Sequence, residues 1–151
     1  MIHGLSKNAR VIQIYAGTTA GATTTIDTAV IDRSGYESCM LIGSVLTTAA
    51  DNGMEMMVST SSSTAQAVDV RNSRVAATGS TGLIVDVVKL PVGHRYVFGR
   101  YIRTTSSALG KMVAVLYNGR QRPVDNATST AQAVQFIANG TTGDSTSTSS
   151  T

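Results

Sequence analysis

Two histidines (His3 and His94), one cysteine (Cys39) and nine carboxylates could support acid–base, nucleophilic or metal chemistry in this sequence. They do not gather into a pattern. His3 and His94 stand far apart, and a single cysteine cannot complete a zinc set. The carboxylates are scattered singly, without the spacing of a calcium loop. Gly110-Lys111 is followed by Met112 rather than by Ser or Thr, so no phosphate-cradling loop is spelled out. A Ser–His–Asp set could be assembled from His94, Asp86 and any serine, but with 17 serines in the chain that match is nearly free. The expectation is a protein that is not an enzyme and uses no cofactor and no metal. Cys39 lies in the apolar run CMLIGSVL and reads as a small buried hydrophobe rather than a reactive thiol.

Charge is more informative than catalytic chemistry. Residues 1–86 hold five basic and seven acidic side chains. Residues 87–124 hold seven basic ones and no acid: Lys89, Arg95, Arg100, Arg103, Lys111, Arg120 and Arg122. A one-signed window points to an anionic partner surface or to solvated strand faces. Arg95, Arg100, Arg103, Lys111, Arg120 and Arg122 are therefore the candidate partner contacts. Interleaved with Tyr96, Phe98 and Tyr101, they also raise nucleic-acid binding. HRYVFGRYIRT alternates poorly for that purpose. Tyr96, Phe98, Arg100 and Ile102 share one face, and Arg95, Val97, Tyr101 and Arg103 the other. One face as core and one as a basic rim is the simpler expectation, and direct nucleic-acid binding is not favoured.

The elements that must position these residues are strands. Of 151 residues, 21 are Thr and 17 are Ser, whereas Glu appears twice and Lys three times. Helical bundles draw on Leu, Glu, Lys and Arg; branched side chains suit pleated sheets. Strands are predicted at 9–16, 23–31, 36–46, 53–60, two short segments in AVDVRN and RVAAT, 83–90, 94–104 and 111–119. Asp51-Asn52-Gly53 reads as a turn closing a hairpin over 36–60. GTTAGA and TSSALG read as loops, and Asn118-Gly119 as a turn. About eight strands at such spacing predict an antiparallel sandwich or barrel. The apolar stretch at 83–92 is broken by Asp86 and Lys89, so no membrane span is expected.

After Pro123 the large apolar side chains are few, and TTGDSTSTSST has none. Residues 1–125 are read as a β-sandwich domain with a short N-terminal arm. Residues 126–151 are read as a Ser/Thr-rich tail or arm extending from it. STAQAVQFIA (129–138) could be a short helix or an edge strand. The sequons at Asn126 and Asn139 are expected by chance in so Thr-rich a chain.

The order of segments resembles the small β-sandwich decoration (cement, or head-stabilising) proteins of tailed bacteriophages. The features are TTTIDTAVIDRSGYESCMLIGSVL, MMVSTSSSTAQAVDV, GHRYVFGRYIRT through Arg95 and Tyr96, and the closing VAVLYNGRQRPV. The likeness covers roughly residues 9–125. It implies a jelly-roll-like antiparallel sandwich with an extended polar C-terminal arm. It further implies a homotrimer on the outer surface of the virion capsid, made in the bacterial host cytoplasm. There it would bridge major capsid protein subunits and stabilise the shell. A different class of function, a jelly-roll carbohydrate- or receptor-binding module of a head fibre or tail, is the alternative. The absence of Trp weighs against it.

Overall fold

The computed structural model of the protein describes residues 5–120. Expectations for His3, Arg122, the sequons and the 126–151 arm lie outside the described residues. One short helix, α1 (Leu5–Asn8), leads into strands β1 (Arg10–Tyr15), β2 (Thr18–Ala22), β3 (Ile26–Asp27), β4 (Ile31–Asp32) and β5 (Tyr36–Ser44). Then follow β6 (Ala49–Ser59), β7 (Val68–Asp69), β8 (Val75–Ala77), β9 (Gly82–Val87), β10 (Tyr96–Ile102), β11 (Ser107–Leu109) and β12 (Met112–Gly119).

The protein is all-β and its strands pair antiparallel. One sheet has the order β1-β12-β5-β9. The other runs β3-β10-β6-β7, with β4 also on β10 and β8 also on β6. A two-stranded ribbon of β2 and β11 stands beside them. Taking β3 with β4 and β7 with β8, and setting the ribbon aside, leaves eight positions split evenly between two sheets. That order is compatible with a jelly roll.

The core forms where the alternation of the two sheets turns inward. β5 contributes Cys39 and Leu41, β12 contributes Met112, Ala114 and Leu116, and β9 contributes Leu83 and Val85. The second sheet supplies Met54, Met56, Val58, Val97 and Tyr101. Each large side chain buried in this way stabilises by roughly 1.5–3 kcal/mol. Tyr101 fits because Gly43 faces it without a Cβ; one built there would overlap the phenol oxygen. That hydroxyl accepts from Ser44 N at 3.0 Å and donates to the Gly110 carbonyl at 3.1 Å, so the largest polar core group is satisfied.

Several expectations need correction. The segment 36–60 is not a hairpin. β5 pairs with β12 and β9, whereas β6 pairs with β10, β7 and β8, so the chain crosses between sheets. Asp51-Asn52-Gly53 lies inside β6 instead of forming a turn, and none of the three has positive φ. Asn52 is fully buried. Its Oδ1 accepts from Thr104 N and Thr105 N at 2.9 Å each, and its Nδ2 donates to the Thr47 and Thr105 carbonyls. The amide thus serves a distant loop, not its own backbone. Gly53 is required by close approach, because a Cβ there would overlap the Val75 carbonyl.

The predicted strand at 23–31 is two short strands interrupted at Thr28. The Thr28 hydroxyl takes the Gly99 N–H at 3.0 Å in place of a ladder bond. GTTAGA and TSSALG, read as loops, contribute the ribbon strands β2 and β11. The run at 83–90 stops as a strand at Val87. The central strand at 36–46 and the burial of Cys39 match the sequence reading. Asn118-Gly119, read as a turn, lies inside β12, where Gly119 pairs with Tyr36 and Asn118 takes φ 53° within the strand.

Candidate docking surface at one end of the sandwich

The turn between β4 and β5, the segment between β9 and β10, and the end of β12 meet at one end of the molecule. Their junction is a shallow pocket of about 500 Å³, lined by residues including Arg33, Glu37, Lys89, His94, Arg95 and Arg120. Arg33-Ser34-Gly35 turns sharply there, with Gly35 at φ 87° and Tyr36 N bonded to the Arg33 carbonyl.

Arg33 builds the floor. Its Nε donates to the His94 carbonyl at 2.7 Å, its Nη2 to the Pro91 carbonyl at 2.7 Å and its Nη1 to the Tyr36 carbonyl at 3.2 Å. A cation satisfied by three neutral carbonyls keeps its charge unneutralised. Desolvation by burial correspondingly lowers its pKa from the usual guanidinium value. Lys89 and Arg120 are exposed on the rim and form no ion pair among the described residues. The Arg120 backbone is anchored by its N–H to the Gly35 carbonyl at 2.8 Å. Nδ1 of His94 is buried without a hydrogen-bond partner. The pocket therefore combines free cationic heads, one buried orphan nitrogen and a single lining carboxylate, Glu37.

The six candidate contact residues divide. Arg95 sits at this end, but its guanidinium is engaged by Asp32, with Nη2 2.6 Å from Oδ2 and Nε bonded to both carboxylate oxygens. The Arg95 bond, with help from Ser34, holds Asp32 well below the usual carboxylate range. Arg100 is paired with Asp27 at 2.6 Å on the outer face of β10. Arg103 is only 4% exposed and points inward, donating to the Ser107 carbonyl at 2.7 Å and to Thr24. Lys111 is exposed, away from the pocket lining. Arg120 belongs to the pocket, and Arg122 lies outside the described residues.

Acids from earlier in the chain thus neutralise two members of the one-signed window, Arg95 and Arg100. Strand pairing sets Asp32 opposite Tyr96 and Asp27 opposite Arg100. The face reading of β10 also changes: Val97 and Tyr101 do face the core, but Phe98 on the other face is buried too, opposite Met57. Sequence reasoning missed Arg33. Its only signal was a lone arginine in a turn, and two of the three carbonyls it serves come from residues about sixty positions away.

Among the described residues, no group of three or more His, Cys, Asp or Glu side chains could hold a metal. No helix among the described residues is long and apolar enough to cross a membrane. The chain matches no model of a known protein family, and no curated protein matches it.

Proposed function

We propose that this protein is a structural binding module: a decoration (cement) protein on the outer surface of a phage head. In this reading it docks its cationic end on acidic surface of the major capsid protein, as a homotrimer, and bridges neighbouring subunits. The observation that carries the proposal is the pocket of Arg33, Lys89 and Arg120, whose cationic heads have no carboxylate partner among the described residues, whereas Arg95 and Arg100 are each paired with an aspartate. Arginine and lysine left free at one end suit carboxylates presented by another protein. The two-sheet architecture and the hydroxyl-rich, weakly charged surface fit a protein that lies against other subunits. Repeated attachment over a shell multiplies a modest single contact.

The test is co-sedimentation of the purified protein with assembled heads of the same genome and with unassembled capsid subunits. Salt-sensitive binding to heads alone, weakened by Lys89→Glu with Arg120→Glu, is the expected result. No association with heads ends this reading. Tyr36 in the pocket lining favours the second reading, a glycan- or receptor-binding module, which retention on a glycan array would promote.

A further inference from the structure

The four-stranded sheet ends at β9, which pairs with β5 on one side and with no described strand on the other. The Val45 N–H donates to the Thr81 carbonyl at 3.0 Å, which marks that opposed pair as hydrogen-bonded. Bonded and non-bonded pairs alternate along an antiparallel ladder. Leu83, Val85 and Val87 therefore bond to β5. Gly82, Ile84 and Asp86 direct their backbone N–H and C=O groups to the open edge.

Beside that edge runs a groove of about 480 Å³, with residues 70–75 on one side and residues 84–89 on the other. Its surface is mostly polar, with Val70, Val75, Val85 and Val87 as apolar members of the lining, and Ile84 and Val88 stand 60% and 64% exposed along it. Ile84 continues an apolar row across the outer sheet face, opposite Ile42, which is itself opposite Val113. Arg71, Arg74 and Lys89 line the same groove against one acid, Asp86, whose carboxylate already accepts from the Tyr117 hydroxyl.

An edge of this kind is a template for strand pairing unless it is blocked. β9 carries no proline, and its one charged side chain is already engaged. We propose that the free edge of β9 is a strand-addition site that takes an extended segment of a partner protein, apolar at its centre and acidic at its flanks. Main-chain bonds to Ile84 and Asp86 supply the affinity. The apolar row beside Ile84 and the cations Arg71, Arg74 and Lys89 supply the selection. This inference does not depend on the decoration reading. Lys89 borders both surfaces, so Arg71→Glu and Arg120→Glu are the variants that separate them.

The experiment uses the full chain and a blocked heptapeptide, Glu-Val-Thr-Val-Thr-Val-Glu, with amide hydrogen exchange read by NMR. The expected result is saturable binding with new protection at the Ile84 and Asp86 amides. Replacing both peptide Glu by Lys, or making Arg71→Glu in the protein, should weaken binding by about tenfold or more. Ile84→Pro removes an edge-facing N–H without touching the β5 ladder and should abolish binding. Should that variant fold poorly, N-methylation of the central peptide residues makes the same cut from the other side. Binding without protection at these amides, or binding that survives N-methylation, overturns the proposal. So does protection of the same amides by concentration-dependent self-association of the protein alone, which would assign the edge to a second copy.

Discussion

Arg103 and Thr24 lie 79 positions apart, yet one guanidinium takes both oxygens of the threonine: Nε donates to the carbonyl and Nη2 to the hydroxyl, each at 2.9 Å. With the third bond to Ser107, the arginine fastens the end of β10 to the β2–β3 loop and to the start of β11 from inside the fold. An arginine that looks like a partner contact in the sequence is thus a structural tie.

Arg103→Met should therefore cost about 2–3 kcal/mol, because buried carbonyls lose a charged donor and find no water. Arg103→Lys should recover little of it, since one ammonium cannot reproduce the planar fork. Urea unfolding monitored by circular dichroism measures both. A variant as stable as the wild type would show that Arg103 is dispensable to folding.

Asn52 and Gly53 carry a second expectation. Asn52→Ala strands the Thr104 and Thr105 N–H groups and should lower stability by about 2 kcal/mol. Gly53→Ala forces the Val75 backbone aside and should cost about 1–3 kcal/mol. If the two residues formed a surface turn instead, both changes would fall within about 0.5 kcal/mol of neutral. Thermal melts distinguish the cases.

Acid sensitivity follows from Asp32. Its carboxyl titrates below the ordinary value because Arg95 and Ser34 bond the ionised form. That stabilisation is fully present above the unfolded value of about 4 and is lost as pH falls through the lower, folded value. Asp32→Asn should thus flatten the fall in unfolding midpoint between about pH 4 and pH 2 relative to wild type. The pair is solvent-exposed, so the effect should be small and should shrink further in high salt. Identical pH slopes for the two proteins would contradict it.

Cys39 is fully buried, and burial pushes its thiol up to about 12. Native protein at neutral pH should not react with a thiol-specific disulfide reagent, whereas protein in urea should react with one equivalent. The labelling rate at intermediate urea then reports opening of the core between β12 and β9, where Cys39 pairs with Leu116 and Val87. Rapid labelling of folded protein would refute the burial argument.

The sequence carries the strands whose side chains alternate against a core, so β5, β10 and β12 could be read from it. Composition likewise indicated an all-β chain. The 51–53 turn misled because Asn and Gly have two uses. In Asp51-Asn52-Gly53 the amide caps a remote loop and the glycine admits a neighbouring backbone, and neither role has a local signature. The short strands β3 and β4 were merged into one because Thr28 has strand propensity but spends its hydroxyl on Gly99. The charge window misled for a related reason. Local counting along the chain cannot show that Asp27 and Asp32 fold back onto β10, since register belongs to pairing and not to composition. The cationic end was legible only through Arg95 and Arg120. Arg33 and Lys89 join it through loops that meet in space.

The order β1-β12-β5-β9 also has a consequence for how the chain is made. β12 is the last of the described strands to be synthesised, yet it sits between two of the earliest. Until it emerges, β1 has no neighbour in its sheet and β5 has only β9. The first strands therefore wait on the ribosome for their partner, and the sheet can close only after β12 has emerged. Pairings so distant in sequence give a high contact order and slow folding, on the scale of milliseconds to seconds. During that interval the apolar β5 is exposed to other nascent copies, so yield of folded protein should depend on expression rate and temperature more steeply than equilibrium stability alone would suggest.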